Sequence, residues 1–225
     1  MNQKQRAAEA ALDELHSGMT VGLGSGSTAE LFIDALGAAL NAKRLRDIRG
    51  VATSVNSEAR ARKLGIPVLT LAEAKNIDVT VDGADEVDAA LNLIKGLGGA
   101  LLREKIVAQN SKRLVIIADS SKKVDQLGTH APLPVEVVKF GYESHEDFLH
   151  ALGCEPKLRR GADGQPYVTD NGNYIYHCRF KSIDQPGALE ASLRKRAGIV
   201  ESGLFIGMAN VALVADEKRV DRIER

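Results

Sequence analysis

The chain has 225 residues, 44% of them hydrophobic, and its 30 acidic side chains balance its 30 basic ones. A zero formal charge gives no overall attraction to nucleic acid or to an anionic membrane, and an aromatic content of 4% disfavours base-stacking modules. No apolar run approaches the roughly 20 residues that cross a bilayer, and the N-terminus lacks a signal-peptide core. We therefore expect a globular, cytoplasmic protein that binds neither nucleic acid nor membrane.

The first predicted elements surround a glycine- and serine-rich turn. Apolar residues at helical spacing predict a helix over 4–16. A strand over 19–23 then runs through the GSGST segment at 24–28 into a helix over 29–40. Free backbone amides, hydroxyl groups and a helix dipole in that order favour an anion. The segment lacks a P-loop lysine and the full GxGxxG spacing, so a single phosphate is the best interpretation, and a plain turn with Ser27 as helix cap is the alternative.

Strands and helices continue to alternate up to about residue 127. Strands are predicted at 48–53, 66–69, 79–81 and 113–118, and helices at 58–64, 71–75 and 89–110. This alternation indicates an α/β fold with a mainly parallel, doubly wound sheet, in which ligands bind at the carboxyl ends of the strands. That rule brings four polar loops to one edge: 25–28, 53–57, 82–85 and 119–122.

The remaining sequence predicts a smaller α+β unit of antiparallel type. We expect strands at 133–138, 157–160, 167–169 and 174–180, helices at 145–152 and 184–197, and final strands from 199 onward. The prolines of the strand at 133–138 favour a sheet edge. Residues 1–127 plus about 204–225 are predicted to form the larger domain, and about 128–203 the smaller one.

Residues 79–105 hold the most chemically suggestive segment. Asp82 and Asp85 follow a strand of β-branched residues. Lys95 precedes a glycine run, which is followed by Arg103-Glu104-Lys105. A carboxylate can move a proton between adjacent carbons while lysine and amides stabilise an oxyanion, which suggests proton transfer on a phosphorylated carbonyl compound. On spacing alone, Glu104 has the weakest case, because an acid flanked by two basic residues is usually a solvated helix residue. The paired aspartates could bind a hard cation, although too few further acids are nearby to complete its ligand shell.

The histidines and cysteines are predicted to lie outside the site, the histidines in surface or packing roles. The five histidines lie outside these motifs and include no HExxH pattern. They are His16, His130, His145, His150 and His177. Cys154 and Cys178 form no CxxC motif and are expected to be ordinary buried thiols.

Six ordered segments resemble ribose-5-phosphate isomerase of the A type. They are GLGSGSTA (22–29), TSVNSE (53–58), VDGADEVD (81–88), IKGLGGALLREK (94–105), IADSSKKVDQLG (116–128) and PLPVEVV (132–138). With VTDNGNYI at 168–175 they cover most of the chain. The resemblance implies interconversion of ribose 5-phosphate and ribulose 5-phosphate without metal or organic cofactor. It also implies a Rossmann-like domain with a small ferredoxin-like domain, in a homodimer or homotetramer.

The resemblance also implies residue roles. Glu104 matches the general base, Asp82 and Asp85 match the VDGAD acids, and Lys95 matches the KG lysine. Asp82 would carry a proton during ring opening, and Glu104 would move a proton from C2 to C1 through a cis-enediolate. Substrate-binding positions, including the amides of the glycine run that would stabilise the oxyanion, are Ser25, Gly26, Ser27, Thr28, Gly96, Gly98, Gly99, Lys122 and Lys4. Leu97 stands where relatives often have glycine, which leaves the conformation of that loop open.

Two alternative functions are considered. A related-fold enzyme, such as a hexosamine-phosphate deaminase or a phosphogluconolactonase, would need a histidine near the site. A catalytically silent sugar-phosphate sensor would keep the phosphate loop and could lose Glu104 or Asp82, and both are present.

Overall fold

A six-stranded sheet forms the centre of the computed structural model, which describes residues 2–225. The helices are α1 (Gln3–Ala10), α2 (Ser27–Asn41), α3 (Val55–Lys63), α4 (Leu71–Ala74), α5 (Leu101–Gln109), α6 (Glu146–Ala151) and α7 (Pro186–Arg194), with short 3-10 turns at Ala11–Glu14, Ser120–Lys122 and Tyr142–His145. The strands are β1 (Thr20–Leu23), β2 (Arg49–Ala52), β3 (Val79–Gly83), β4 (Glu86–Val87), β5 (Leu93–Ile94), β6 (Leu114–Asp119), β7 (Leu133–Val137), β8 (Glu155–Leu158), β9 (Tyr174–Arg179), β10 (Ile199–Ser202), β11 (Leu204–Phe205), β12 (Val211–Ala215) and β13 (Val220–Glu224).

The six-stranded sheet has the order β13-β12-β6-β3-β1-β2 and is parallel except for β13. Strands β1, β6 and β12 are buried at every position, as expected for a parallel sheet covered on its faces. The apolar face of α2 packs on this sheet through Phe32, Ile33 and Leu36, which recur at helical spacing and are fully buried. The predicted mainly parallel sheet is confirmed.

The second sheet is antiparallel, with the order β10-β7-β9-β8 and α6 and α7 between its strands along the chain. This β-α-β-β-α-β succession is the ferredoxin-like arrangement, which confirms the predicted smaller fold. After it the chain forms β11, which joins a three-stranded sheet with β5 and β4, and then returns to the first sheet as β12 and β13. The domain boundaries near 127 and 204 remain a prediction.

The helix predicted over 89–110 is wrong in its first half. Residues 86–94 instead form a hairpin of β4 and β5, and the helix begins only at Leu101. Asp88 organises the turn, because its Oδ1 accepts hydrogen bonds from the amides of Ala90 at 2.9 Å and Asn92 at 2.8 Å. Leu91 is fully buried and has a φ of 59°, which no helix accommodates.

Two short strands that the sequence predicts are also absent from the described structure. Residues 66–69 make a single parallel bridge, at Val68, because Pro67 has no amide hydrogen to extend it. Residues 167–169 form no strand: the amide of Tyr167 donates to the carbonyl of Arg159 at 2.9 Å, and the neighbouring bridge is isolated.

Strand β7 is interior, not at an edge, so the argument from its prolines is wrong. Gly203 donates its amide to the carbonyl of Pro134 at 2.8 Å, at the point where β10 has just ended. Proline cannot return that bond, and the free carbonyl of Gly203 instead accepts the amide of Lys95 at 2.9 Å. The missing donor of Pro134 thus leaves a docking point for the segment that carries Lys95.

Across residues 2–225, no helix combines the length and apolar character that crossing a membrane requires.

Candidate active site

The turn between β1 and α2 has the geometry of an anion-binding site. Gly26 has a φ of +91°, a left-handed conformation that glycine adopts readily, and α2 begins directly after it at Ser27. The first amides of a helix have no carbonyl one turn earlier and carry its positive dipole end. Lys4 reaches this point from α1, and its Nζ donates to the Oγ of Ser27 at 2.9 Å. Backbone donors and an ammonium group therefore converge at one place.

Ser25 has a structural role in this turn. Its Oγ lies 2.7 Å from the hydroxyls of Thr53 and Ser54 and 3.2 Å from that of Ser57. Its amide donates to Oδ1 of Asp82 at 3.0 Å. The hydroxyl-rich loop predicted at 53–57 therefore holds the anion-binding turn from behind.

A buried cluster of Lys95, Asp82 and Glu104 lies at the carboxyl end of β3. Nζ of Lys95 is 3.0 Å from Oδ2 of Asp82 and 3.6 Å from Oε1 of Glu104, and it donates to the carbonyl of Gly83 at 2.5 Å. The side chains of Lys95, Asp82 and Glu104 are only 2%, 1% and 4% exposed. The second oxygen of Glu104, Oε2, is buried and has no hydrogen-bond partner among residues 2–225.

Burial and mutual charge set the ionisation of this cluster. Burial raises the pKa of Glu104 to about 8, helped by the nearby charges of Asp82 and Asp85 and opposed by Lys95. Burial also raises the pKa of Asp82, against the lowering effects of Lys95 and of the amides of Ser25 and Gly83. For Lys95, burial acts to lower the pKa, but the facing carboxylates outweigh it and the pKa is raised. The cluster therefore keeps a charged lysine beside a glutamate that titrates near neutral pH.

The two aspartates of the VDGAD segment occupy different places. Asp82 lies behind the cleft, with Oδ1 accepting from the amides of Ser25 at 3.0 Å and Gly83 at 2.7 Å and Oδ2 facing Lys95. Asp85 lines the cleft, and its Oδ2 accepts the amide of Leu97 at 3.0 Å. Asp82 therefore holds the lysine, while Asp85 holds the glycine loop.

The glycine loop at 96–99 has a defined geometry despite Leu97. Gly96 and Gly99 adopt φ values of +95° and +99°, but Leu97 is not among the residues with positive φ. Its side chain packs on the core under the four-stranded sheet, and its carbonyl accepts Nη1 of Arg159 at 2.9 Å. A leucine is therefore accommodated there without strain.

Only part of the loop's backbone is available for a ligand. The amide of Leu97 donates to Asp85, and the amide of Gly99 donates to the carbonyl of Gly96 at 2.9 Å. The amides of Gly96 and Gly98 have no hydrogen-bond partner among the described residues. Of the four amides at 96–99 that were expected to stabilise an oxyanion, only these two are therefore free to bond to a ligand.

These parts line one cleft of about 500 Å³, open mouth included. Of the predicted site residues, the structure places these around it: Lys4, Ser25, Gly26, Ser27, Thr28, Asp85, Lys95, Gly96, Gly98, Glu104 and Lys122. Asp82 and Gly99 do not line it, since Asp82 lies behind Lys95 and Gly99 faces a neighbouring hollow beside Tyr167. Sequence reasoning missed Gly83 and Ala84, which also line the cleft. Their position between the two aspartates was the available signal.

Lys105 is a second buried lysine that the sequence did not single out. Its Nζ donates to Glu201 at 2.8 Å, to Glu190 at 3.2 Å and to the carbonyls of Ser202 and Leu204. These contacts pin α5, which carries Glu104, to β10 and β11. No local pattern in the sequence signals such contacts, because their partners lie 85–99 residues away.

None of the histidines or cysteines lines the cleft. His177 is half-buried; burial and Arg159 lower its pKa while Asp85 opposes them, so it lies near the charge of Asp85 without lining the cleft. Cys154 and Cys178 are free and buried as predicted. The Cys154 thiol donates to the carbonyl of Leu149 at 3.1 Å, and the neighbouring Cys178 thiol lowers the pKa of Cys154.

The fold and the cleft together define an α/β enzyme with an anion-binding turn and an acid–lysine cluster at the carboxyl ends of its parallel strands. The family model for ribose 5-phosphate isomerase A (phosphoriboisomerase A) matches residues 49–219. The chain belongs to this family and is an isomerase.

Individual relatives agree over nearly their full length. The chain is 48% identical over 223 residues to ribose-5-phosphate isomerase A of Synechococcus sp. (strain JA-3-3Ab), covering 99% of this chain and 96% of the relative. It is 52% identical over 212 residues to the Roseiflexus sp. (strain RS-1) protein of the same name, covering 94% and 91%. Among solved structures, a D-ribose-5-phosphate isomerase in complex with phospho-erythronic acid superposes with a TM-score of 0.97 at 38% identity, covering 100% of both chains. The Plasmodium falciparum ribose 5-phosphate isomerase gives 0.95 at 40% identity, covering 99% and 98%.

Proposed function

We propose that this protein interconverts D-ribose 5-phosphate and D-ribulose 5-phosphate through a cis-enediolate, with Glu104 as the general base. Family membership supports the substrate and the reaction class. The observation that supports the role of Glu104 is the state of its side chain at the wall of the cleft. Oε1 faces a charged lysine, Oε2 is buried without a hydrogen-bond partner among the described residues, and the pKa is about 8. A carboxylate with that pKa can both take and return a proton near neutral pH.

The phosphate end of the substrate binds at the turn between β1 and α2. The first amides of α2 and the ammonium groups of Lys4 and Lys122 favour a dianion there. The carbon chain then extends toward Lys95 and Glu104. Binding at the phosphate fixes the reactive carbons against the base, which is the positional contribution expected from a non-reacting group.

The central step is a proton transfer between adjacent carbons. Glu104 removes the proton from C2 of the open-chain aldose, the C2–H electron pair forms the C1=C2 bond, and the carbonyl pair moves to O1. Lys95 and the amides of Gly96 and Gly98 stabilise the negative oxygen. Glu104 then returns the proton to C1 while a proton passes from O2 to O1, which gives the ketose.

Ring opening requires a second proton carrier. Asp82 matches this role in the family pattern, but its carboxylate is engaged behind the cleft. A proton exchanged with Asp82 would pass through Nζ of Lys95, which lies 3.0 Å from Asp82 and lines the cleft. Asp85 would hold the glycine loop through the amide of Leu97 during the reaction.

The remaining expectations stay predictions. They are independence from metal and organic cofactor, assembly as a homodimer or homotetramer, and a cytoplasmic location.

Phospho-erythronic acid, bound in one relative's structure, combines a phosphate with a carboxylate, and the same two charged ends would fit the two ends of this cleft.

The test is conversion of ribose 5-phosphate by the purified protein in the presence of EDTA. We expect ketose formation and incorporation of solvent deuterium at C2 of re-isolated aldose. Glu104→Gln should lower kcat by about 10²–10⁴-fold with little change in KM, since a positioned base contributes that much. Glu9→Gln, an exposed position on α1, is the matched control and should be unaffected. Ribose 5-phosphate binding without turnover would favour the sensor, and near-normal turnover by Glu104→Gln would remove Glu104 from the role.

A further inference from the structure

The aromatic ring of Phe205 lies close to both lysines that are buried among residues 2–225. Its centroid is 5.4 Å from Nζ of Lys95 and 4.9 Å from Nζ of Lys105. Phe205 is fully buried and belongs to β11, which pairs with the strand that directly precedes Lys95. Both distances are within the range of roughly 6 Å over which a ring attracts a cation.

The two lysines depend on the ring to different degrees. Lys105 already has two carboxylates and two carbonyls as partners. Lys95 has one protein carbonyl, that of Gly83, and otherwise faces carboxylates: Asp82 from β3, Asp85 from the turn after it and Glu104 from α5. Two of these groups change protonation in the proposed reaction, so their support for the lysine's charge varies during turnover.

An aromatic ring has no proton to exchange at these pH values, and its attraction for a cation is therefore constant through the cycle. Because the Lys95 side chain is only 2% exposed, that attraction replaces part of the hydration that its ammonium group has lost. When Glu104 takes the proton from C2, the negative charge moves from Glu104 to O1, and the ring is the partner of Lys95 whose attraction does not change in that step.

We propose that Phe205 is a positioning residue of the isomerase, holding Lys95 charged and directed at the cleft through the face of its ring. Phe205 does not line the cleft and acts only through the lysine. The inference rests on the proposed role of Lys95 as the oxyanion-stabilising group.

Progressive fluorination of the ring is the sharpest test, because it weakens the electrostatic attraction of the ring face with little change in its shape. Mono-, di- and trifluorophenylalanine are introduced at position 205 of the full-length protein. We expect log kcat to fall stepwise with fluorine number, to a total of about 2- to 30-fold, with KM nearly constant. We assign the alkaline limb of the pH–kcat profile to deprotonation of Lys95, and this limb should move to lower pH.

The same series at Phe32 is the matched control. Phe32 is also fully buried, but it packs among apolar side chains against the six-stranded sheet. Fluorination at Phe32 should change neither kcat nor the pH–kcat profile of the protein. Phe205→Leu, which removes the ring face, should reproduce the kcat loss and the shifted alkaline limb if it folds, with thermal unfolding measured in parallel.

The outcomes separate this proposal from the proposed function. If the wild-type protein isomerises ribose 5-phosphate and Glu104→Gln is inactive, but the position-205 series leaves kcat and the alkaline limb unchanged, the positioning role is wrong and the function stands. A loss of thermal stability without any kinetic change would reduce Phe205 to a core residue. An inactive wild-type protein would instead overturn the function itself.

Discussion

Glu104 combines poor solvation with the chemistry proposed for it. Its carboxyl group is 4% exposed, has one unpartnered oxygen and lies 3.6 Å from a single lysine. A solvated helix glutamate would have an ordinary pKa and would be a weak base. The removal of water makes it a base suited to neutral pH, and the same removal makes its ionised form unfavourable to the fold.

The first prediction concerns the pH dependence of catalysis. The base must be ionised, and burial raises the pKa of Glu104 to about 8. We therefore expect kcat/KM to rise with pH, approaching tenfold per pH unit below that value, and to level off above it. The profile should be measured above about pH 6.5, where the substrate phosphate is mainly dianionic. A flat profile between pH 6.5 and 9 would contradict the proposed ionisation.

The second prediction concerns the pH dependence of stability. The pKa of Glu104 is about 8 in the folded protein against an ordinary value of 4.5, so between these values the folded state holds more protons than the unfolded state. The contribution of Glu104 to the free energy of unfolding is thus fully present below pH 4.5 and is lost as pH rises through 8. Glu104→Gln does not titrate and should gain stability relative to wild type over that window, on the order of 3–5 kcal/mol.

Urea unfolding of both proteins at pH 5 and pH 8 measures this difference. Glu9→Gln, which is exposed, should show the same stability difference from wild type at both pH values. An equal difference for Glu104→Gln at the two pH values would show that the carboxylate is not destabilised by burial.

At the scale of elements, the segment from β3 to α5 is built from very short pieces. Two strands of two residues each, a tight turn and a glycine loop replace the helix predicted there. Few of their backbone groups pair locally, so the loop depends on hydrogen bonds from other segments. Asp85 accepts the amide of Leu97, and Arg159 donates to the carbonyl of Leu97. The carbonyl of Gly203 accepts the amide of Lys95. Strands this short are stable only within such a frame.

The third prediction compares two glycines of this loop. A Cβ at Gly96 would lie 2.4 Å from Cβ of Leu101, and the φ of +95° disfavours any side chain. Gly96→Ala should therefore destabilise the protein by about 2–4 kcal/mol. Gly98 is exposed with no atom within 4 Å of its Cβ position, so Gly98→Ala should change stability by no more than about 0.5 kcal/mol. Chemical denaturation of the two variants gives the comparison, and similar losses would show that the loop geometry is not as described.

At the scale of the whole molecule, two buried charged side chains tie the parts of the chain together. Lys105 joins α5 to β10 and β11. Glu86 is fully buried in β4 and accepts the amides of Gly128, His130 and Ala131, which lie just before β7 of the antiparallel sheet. Each connection fixes the acid–lysine cluster relative to the second sheet.

The fourth prediction tests the Glu86 connection. Glu86→Gln keeps the shape but replaces one acceptor oxygen with a donor group that faces backbone amides. Because a buried amide is then left unpaired, we expect a loss of about 2–3 kcal/mol in the free energy of unfolding. Glu155→Gln, at an exposed position in β8, is the control and should be nearly neutral. Equal stability of the two variants would rule out the connection as a stabilising contact.

The sequence by itself determined the elements that depend on local pattern. Buried strands such as β6 appear in the sequence as continuous apolar runs, and α2 appears as apolar residues at helical spacing. The handedness and connectivity of parallel strands then place the polar residues that follow them at one edge of the sheet. That residues 25–28, 83–85 and 122 line one cleft follows from these rules alone, because each residue adjoins its own strand.

The tertiary structure alone decided the environment of each charged group. The sequence shows Glu104 between two basic residues, and only packing reveals that its carboxyl group is buried beside Lys95. Only packing also shows that Asp82 lies behind Lys95, and that the ring of Phe205, 110 residues after Lys95 in the chain, lies 5.4 Å from its Nζ. Desolvation and charge interaction depend on distances between chain segments that are remote in sequence, and no local propensity encodes those distances.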